Sequence, residues 1–282
     1  MGTVLQKSAA GYKSLGQMDP AGFKHHIAFE TYQPPAGLTP FVLHFWTIRW
    51  HNTTGQPYIS EQVMHRPYVD VFVSLPESGI QCTYRDRRDY EAADSGRIIG
   101  ARLHPGAFHA FRNGSLAGLH NGTIALQDIF ADADQAFVER TLALDDAAAV
   151  GALADLLQAR NPQEDPQIAI VGRIIEAIEK EDMQTVKEVA QWTGMSDRWL
   201  QQLFQDYVGI GIKWQLQRNK LLQAASSIRI NDAPDWADIA YELGYSSQQH
   251  FISDFKRVLG KTPTQYKRDL RDSYSHISDQ VQ

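Results

Sequence analysis

The chain has 282 residues, of which 43% are hydrophobic, so it is long enough for two domains of roughly 100–200 residues each. Its single cysteine, Cys82, excludes an internal disulfide, and residues 1–13 lack the apolar stretch of a signal peptide. No apolar run approaches the roughly 20 residues of a membrane helix, so we expect a cytoplasmic protein that makes no membrane contact. The net charge is −6, which does not indicate nucleic-acid binding by charge alone.

The first 130 residues are typical of a β-rich domain. Short runs of aromatic and β-branched residues, such as 41–48 and 69–73, are separated by turn signals such as His104-Pro105-Gly106. Several short strands at this spacing predict a barrel or a sandwich. After Ile129 the pattern becomes helical, and the domain is predicted to extend to about residue 160.

A change of composition follows at residues 161–166, which are polar and contain two prolines, so they are predicted to be a linker. Residues 167–272 are helical in pattern, and residues 273–282 form a polar tail. The predicted architecture is therefore α+β with two domains, a barrel-like or sandwich-like domain with helices at 1–160 and an all-α domain at 167–272. The acidity is concentrated in the first part, since residues 1–166 carry 13 basic and 18 acidic side chains and residues 167–282 carry 14 and 15.

The helical part contains an internal repeat. Each copy has an apolar-Ala pair, a Gly four residues after the Ala, and a closing Gly after a further apolar stripe. The paired positions are Ala190 and Ala240, Gly194 and Gly244, and Gly209 and Gly260. This pattern predicts two helix-turn-helix units, at about 185–207 and 235–259, in which the second helix of each can enter a DNA major groove. The residues between them, 213–230, span about 25 Å as a helix, which suits groove segments about 34 Å apart.

Capping residues mark where these helices begin. Thr185 and Glu188 have the spacing of a capping box, Ser196 is placed to cap the next helix, and either Ser246 or Ser247 is placed to cap its counterpart. The residues expected in the core of the second unit are Trp236, Leu243, Phe251 and Phe255.

Polar side chains near the start of each second helix are the candidates for DNA contact. Glutamine can bond to adenine and arginine to guanine at two points each. The predicted base-reading residues are Arg198, Gln201, Gln202, Gln248, Gln249, His250 and Ser253. Hydroxyl and basic groups suit phosphates. The predicted phosphate contacts are Ser196, Lys213, Ser247, Lys256, Arg257 and Lys261, and the turns are assigned to Gly194 and Gly244.

The second copy reads Ile239-Ala240, Gly244-Tyr245, His250-Phe251, Phe255-Lys256-Arg257, Gly260 and Thr262-Pro263. In these residues and their counterparts, the stretch from about 168 to 270 resembles the AraC/XylS family of transcription regulators. The resemblance implies seven helices, with two helix-turn-helix units joined by a linking helix, and double-stranded promoter DNA as the partner. It also implies activation by contact with RNA polymerase. Many family members carry a basic residue where this chain has Gln202 and Ser253, so the DNA sequence is not transferable from a relative.

The other domain in this family commonly senses a small molecule or mediates dimerisation. Ligand pockets are mainly apolar with a few polar groups, so an aromatic-lined pocket for an organic effector is one interpretation, and filling of the core is the other. The candidates for such a pocket are Phe45, Trp46, Tyr68, Phe72 and Phe108. The helical stripe of Leu153, Leu156 and Leu157 suits either a homodimer contact or packing against the chain's own sheet.

The N-terminal histidines raise the question of a metal. Eight of the ten histidines precede residue 121, but there is no His-x-His pair followed by an acidic residue, so neither a metal nor another cofactor is expected. Cys82 is interpreted as a packing residue, with redox sensing as the alternative.

Other function classes are weaker interpretations. The main alternative to a regulator is a cupin-like metal-dependent enzyme fused to a helical domain, but the sequence has none of the common catalytic motifs, so no enzymatic activity is predicted. A scaffold that uses its helix pairs for protein contacts is a third possibility, against which salt-sensitive DNA affinity would argue.

Overall fold

The computed structural model describes residues 27–52, 58–62, 67–85, 88–180, 183–231 and 233–270. Its first part contains a six-stranded antiparallel sheet with the order β1-β2-β7-β4-β5-β8 and a two-stranded sheet of β3 and β6. The strands are β1 Ile27–Tyr32, β2 Val42–His51, β3 Tyr58–Gln62, β4 Asp70–Ser74, β5 Gly79–Gln81, β6 Arg88–Ala92, β7 Ser95–Leu103 and β8 Thr123–Ala125. The predicted β-rich character of this part is confirmed. Three of the N-terminal histidines, His25, His26 and His65, and the predicted polar tail at 273–282 lie outside the described residues.

The two faces of the large sheet have different roles. Phe45, Ala101 and Val71 lie in one row across β2, β7 and β4, and all three are fully buried. Because side chains alternate along a strand, Trp46 and Phe72 belong to the opposite face. The first hydrophobic core therefore lies on the sheet face that carries Phe45, and Trp46 lies on the other face.

Four helices accompany this sheet. They are α1 Phe108–Arg112, α2 Leu126–Ile129, α3 Gln135–Ala143 and α4 Asp146–Ala159. Leu153, Leu156 and Leu157 of α4 are at most 9% exposed and belong to the core cluster beneath the sheet. The leucine stripe thus packs against the chain's own sheet.

An ion pair holds the first turn of α4 against that sheet. The Asp146 carboxylate accepts hydrogen bonds from Arg49 at 2.6 Å and from Arg97 at 2.5 Å. Burial alone would raise the pKa of Asp146, but these bonds outweigh burial and hold the pKa below its usual range.

The seven helices implied by the resemblance are present in residues 166–270. They are α5 Pro166–Lys180, α6 Val186–Thr193, α7 Asp197–Val208, α8 Ile212–Ile230, α9 Trp236–Glu242, α10 Gln248–Leu259 and α11 at 263–270. Helix α5 begins at Pro166, the last residue of the predicted linker, where a proline is tolerated because the first helical N–H groups have no partner. No helix in the described ranges is long and apolar enough to span a membrane.

The C-terminal helices enclose two separate cores. One lies between α5, α6, α7 and the start of α8, and includes Leu200 and Phe204. The other contains the rest of α8 with α9 to α11, and includes Leu243, Phe251 and Phe255. These buried positions match the predicted stripes, whereas Trp236 is only partly buried at the edge of the second core. Each core therefore supports one helix pair, and α8 belongs to both.

Candidate nucleic-acid interface

The first helix-turn-helix unit is fixed by local hydrogen bonds. Thr185 Oγ1 accepts a bond from the Glu188 amide at 3.2 Å, and Glu188 Oε2 accepts one from the Thr185 amide at 3.0 Å, which completes the predicted capping box. Gly194 ends α6 with a φ of 71°, in the left-handed region that favours glycine. Ser196 Oγ then accepts a bond from the Trp199 amide at 3.2 Å and starts α7. The second helix of the unit, which we call its reading helix, thus begins immediately after the tight turn.

The second unit repeats this geometry. Asp235 caps α9 by accepting a bond from the Ala237 amide at 2.7 Å, and Gly244 follows α9 with a φ of 68°. Ser247 caps α10 by accepting a bond from the His250 amide at 3.2 Å. Between the two serines that the sequence allowed, Ser247 is therefore the cap, while Ser246 Oγ lies 3.4 Å from Nδ1 of His250.

The predicted base-reading residues are exposed on both reading helices. On α7, Arg198 and Gln201 are exposed near the start, and Gln202 is exposed but donates its amide to Asp206 at 3.0 Å. On α10 the exposed residues are Gln248, Gln249, His250 and Ser253. Each helix therefore presents a polar face on the side opposite its buried stripe, as groove reading requires.

The four basic residues among the predicted phosphate contacts divide into two groups. Lys213 at the start of α8 and Lys256 on α10 are exposed, and within the described residues neither has an ion-pair partner. Arg257 donates to Asp254 at 3.0 Å, and Lys261 pairs with Asp269 at 2.7 Å. Because the latter two are already paired within the chain, Lys213 and Lys256 are the more available cations.

Polar residues of α8 that the sequence reading missed tie the two units together. Gln217 donates to Asp254 at 2.6 Å and contacts the Tyr245 hydroxyl of the second unit. Arg218, only 2% exposed, donates to Glu179 of α5 at 3.1 Å. In the sequence, these residues form a polar segment between apolar positions of the helix that was predicted only to separate the two units.

Comparison with known proteins supports this geometry. A family model described as a helix-turn-helix domain matches residues 189–269, and one described as a domain of unknown function (DUF6597) matches residues 30–125. The chain is 33% identical over 103 residues to the regulatory protein SoxS of Salmonella typhimurium, which covers 36% of this chain and 95% of SoxS. The chain belongs to the AraC family of DNA-binding transcription regulators.

Another sequence relative covers less of this AraC-family chain than SoxS does, and a solved structure covers more of it. The putative HTH-type transcriptional regulator YkgA of Escherichia coli is 33% identical over 89 residues, 31% of this chain and 37% of YkgA. Among solved structures, ToxT of Vibrio cholerae aligns with 80% of this chain and 98% of its own, at 11% identity and a TM-score of 0.35. The family assignment therefore rests on the sequence relatives of the C-terminal helices.

In the N-terminal part of this AraC-family chain, the five aromatic candidates for an effector pocket do not share one surface. Phe45 and Phe108 are at most 1% exposed and belong to the first core. Trp46 and Phe72 lie on the opposite sheet face, in one row with Gly100 between them. A Cβ on Gly100 would lie 2.2 Å from the Trp46 ring, so this glycine leaves room for the indole.

Polar groups lie beside Trp46 on that face. His44, Arg102 and Asp70 form the next row, and Arg102 bonds to Asp70 at 2.7 and 2.8 Å while its guanidinium lies 5.4 Å from the centre of the Tyr68 ring. Burial, followed by the charge of Arg102, lowers the pKa of His44 to about 4, so its imidazole is neutral. His44 Nε2 and Trp46 Nε1 are buried and have no hydrogen-bond partner within the described part of the chain.

Two further chemical features of the described N-terminal residues are the possible metal ligands and Cys82. In the described ranges, no group of three His, Cys, Asp or Glu side chains is placed to hold a metal ion. Burial raises the pKa of the Cys82 thiol to about 11, so the thiol stays protonated at neutral pH. A cavity of about 570 Å³ does lie at the junction with α5. Its lining includes Thr39, Phe41, His104, Glu164, Asp165 and Ile168.

Proposed function

We propose that this regulator binds promoter DNA sequence-specifically by placing α7 and α10 in successive segments of the major groove. The observation that carries the proposal is the repeated geometry of two capped reading helices, each with a buried stripe on one side and exposed polar residues on the other. In this arrangement Gln201, Gln248 and Gln249 are suited to base edges, and Lys213 and Lys256 to phosphates.

We also propose that the regulator is an activator that acts in the cytoplasm through RNA polymerase. The family resemblance supports this, and so does a relative named the F1 operon positive regulatory protein of Yersinia pestis. That protein is 36% identical over 76 residues, which is 25% of its length. A homodimer would need a surface other than the leucine stripe of α4, because the stripe is buried within the chain.

The direct test selects bound duplexes from a random pool with the full chain at moderate salt. We expect a motif with two half-sites about one helical turn apart, because the two units are joined by the rigid α8. Gln249→Ala should relax the preference at one base position and cost about 1–3 kcal/mol there. Gln163→Ala removes another exposed side-chain amide, in the linker, and serves as the control.

Two results would contradict these roles. If Gln249→Ala weakened binding equally for all sequences, the residue would not read a base. If no motif were recovered from the full chain, and DNA affinity did not depend on salt, the regulator proposal itself would fail, because phosphate contacts release counterions.

We propose the sheet face around Trp46 as the effector site. Trp46 Nε1 supplies a buried donor without a partner, His44 supplies a neutral imidazole nitrogen, and Phe72 supplies apolar surface. These groups suit a small, largely apolar molecule that carries a hydrogen-bond acceptor. Trp46→Phe keeps most of the shape and removes the donor, so it should weaken the binding of small aromatic ketones measured by calorimetry. Unchanged affinity in Trp46→Phe would exclude this face.

A further inference from the structure

The cavity of about 570 Å³ lies where the N-terminal part of the chain meets the linker and α5. One side is formed by residues 39–41 and 104–105, and the other by residues 164–166, 168, 169 and 172. We call it the junction cavity. Small-molecule sites occupy roughly 300–1,000 Å³, so the junction cavity has room for a small organic ligand.

Much of the surface of the junction cavity is apolar. Phe41 is 2% exposed and Ile168 is 7% exposed, and Pro105 is also buried. Pro40 and Pro166 are exposed and lie nearer the solvent. Because proline has no backbone N–H, the three prolines offer no backbone donor to an anionic group. This surface therefore suits the hydrocarbon body of a ligand.

Two carboxylates line the same cavity. Glu164 is exposed, and within the described part of the chain its side chain has neither an ion-pair partner nor a hydrogen-bond donor. The Asp165 carboxylate accepts the hydroxyl of Tyr207 at 2.5 Å, and Nδ1 of His109 lies 3.9 Å from it. Neither carboxylate is paired with a lysine or an arginine among the described residues, so both can attract a cation.

The positive contributions around the junction cavity are smaller. The N-terminus of α5 carries about half an elementary charge, but its first amides, those of Gln167 and Ile168, already bond to Asp165 at 2.9 and 3.0 Å. Burial lowers the pKa of His104, so its imidazole adds no charge at neutral pH. The described residues that line the cavity include no lysine or arginine. The field in the cavity is therefore negative.

We propose that the junction cavity is a second ligand site, which binds a small organic amine. The ammonium group donates to Glu164 and to the remaining acceptor positions of Asp165, and the apolar body packs against Phe41 and Ile168. This chemistry differs from that of the sheet face around Trp46, which suits an uncharged acceptor. The inference goes beyond DNA binding and does not depend on it.

The test is calorimetry on the full chain at low ionic strength with three probes of nearly the same size. They are 4-phenylbutylamine, 4-phenylbutan-1-ol and 4-phenylbutyrate, which differ mainly in the charge of the polar end. We expect the amine to bind about 2–5-fold more tightly than the alcohol, as one solvent-exposed ion pair allows, and the carboxylate to bind more weakly than the alcohol.

Two kinds of variant locate the binding. Glu164→Gln keeps the size of the side chain and should cost the amine about 2–5-fold in affinity while leaving the alcohol unchanged, with Glu242→Gln on α9 as the charge control. Ala169→Trp places an indole in the cavity and should abolish binding of both probes, with Ala136→Trp on α3 as its control. If Ala169→Trp does not fold, Gly172→Leu replaces it, since a Cβ there meets nothing within 4 Å.

The outcomes separate charge from place. Equal affinity for the three probes, or unchanged amine affinity in Glu164→Gln, would overturn the choice of an amine. Amine binding that survives both Ala169→Trp and Gly172→Leu would overturn the site, and a loss in Trp46→Phe would then assign the probe to the sheet face. No binding of any probe to the unmodified chain would overturn the junction cavity as a ligand site. The duplex selection is independent of all these results, so either proposal can fail without the other.

Discussion

Phe255→Ala tests whether the second unit depends on its own core. Phe255 is fully buried, and its ring makes edge contacts with Phe251 and Tyr266 at centre distances of 5.6 and 5.7 Å. Removing a buried phenylalanine ring costs about 3–5 kcal/mol. Because each aromatic edge contact adds about 0.5–1.5 kcal/mol beyond the buried area, we expect a loss in the upper half of that range.

The measurement is urea unfolding monitored by hydrogen exchange of the α10 amides, with Tyr241→Ala as the control. Tyr241 is 83% exposed, so its replacement should change the unfolding free energy of this region by less than about 0.5 kcal/mol. Since the core around α7 is separate, exchange there should change little, and binding to the α10 half-site should be lost first. An unchanged stability in Phe255→Ala would refute the helix register, and equal losses in α7 and α10 would refute the separation into two cores.

Three further predictions concern charge and protonation. Lys256→Ala should weaken DNA binding equally for all sequences and lower the salt slope by about one, and a changed base preference would contradict its phosphate role. Asp146→Asn should lower the unfolding free energy at pH 7 by about 1.5–3 kcal/mol, because it removes charge-assisted hydrogen bonds from two arginines. The pKa of Asp146 is lower in the folded chain than in the unfolded chain, so the contribution of its carboxylate to the free energy of unfolding is complete above about pH 4 and declines as pH falls further. Urea unfolding should therefore show a smaller stability difference between the unmodified chain and Asp146→Asn at pH 3 than at pH 7. An equal difference at both pH values would argue against the ion pair. Cys82 should react with a thiol reagent at pH 8 only after denaturation, because the residue is 4% exposed and burial raises the pKa of its thiol to about 11. Rapid reaction of the native protein would contradict this.

The helix-turn-helix units could be predicted because their signals are local. The capping box at Thr185, the turn glycines Gly194 and Gly244, and the stripe ending at Phe255 each depend on residues a few positions apart. The backbone at these points has few alternatives, since a left-handed turn favours glycine and a helix start needs a side-chain acceptor. Such features are visible in a sequence without knowledge of the rest of the chain.

The sheet face that we propose as the effector site could not be predicted from the sequence, because it depends on which side of a strand is covered. Phe45 and Trp46 are adjacent aromatic residues, so the sequence alone makes both of them candidates for the pocket. Only the packing of α3 and α4 on one side of the sheet assigns Phe45 to the core and leaves Trp46 on the other face. Likewise, the pairing of Lys261 with Asp269 depends on the path of the chain after α10. In both cases the deciding contact comes from another element.

The polar residues inside α8 explain how two separate cores can present two reading helices in one orientation. Apolar packing tolerates small rotations, whereas a buried hydrogen bond is directional and is costly to leave unmade. Gln217 fixes α8 to the second unit through Asp254, and Asn219 donates to the carbonyl oxygen of Ile178 in α5 at 3.0 Å. With Arg218 on Glu179, these bonds set the rotation of each unit about the linking helix. The position of α7 relative to α10 is therefore defined by directional bonds as well as by apolar packing, so a variant that removes one of these bonds should alter the preferred spacing of the half-sites.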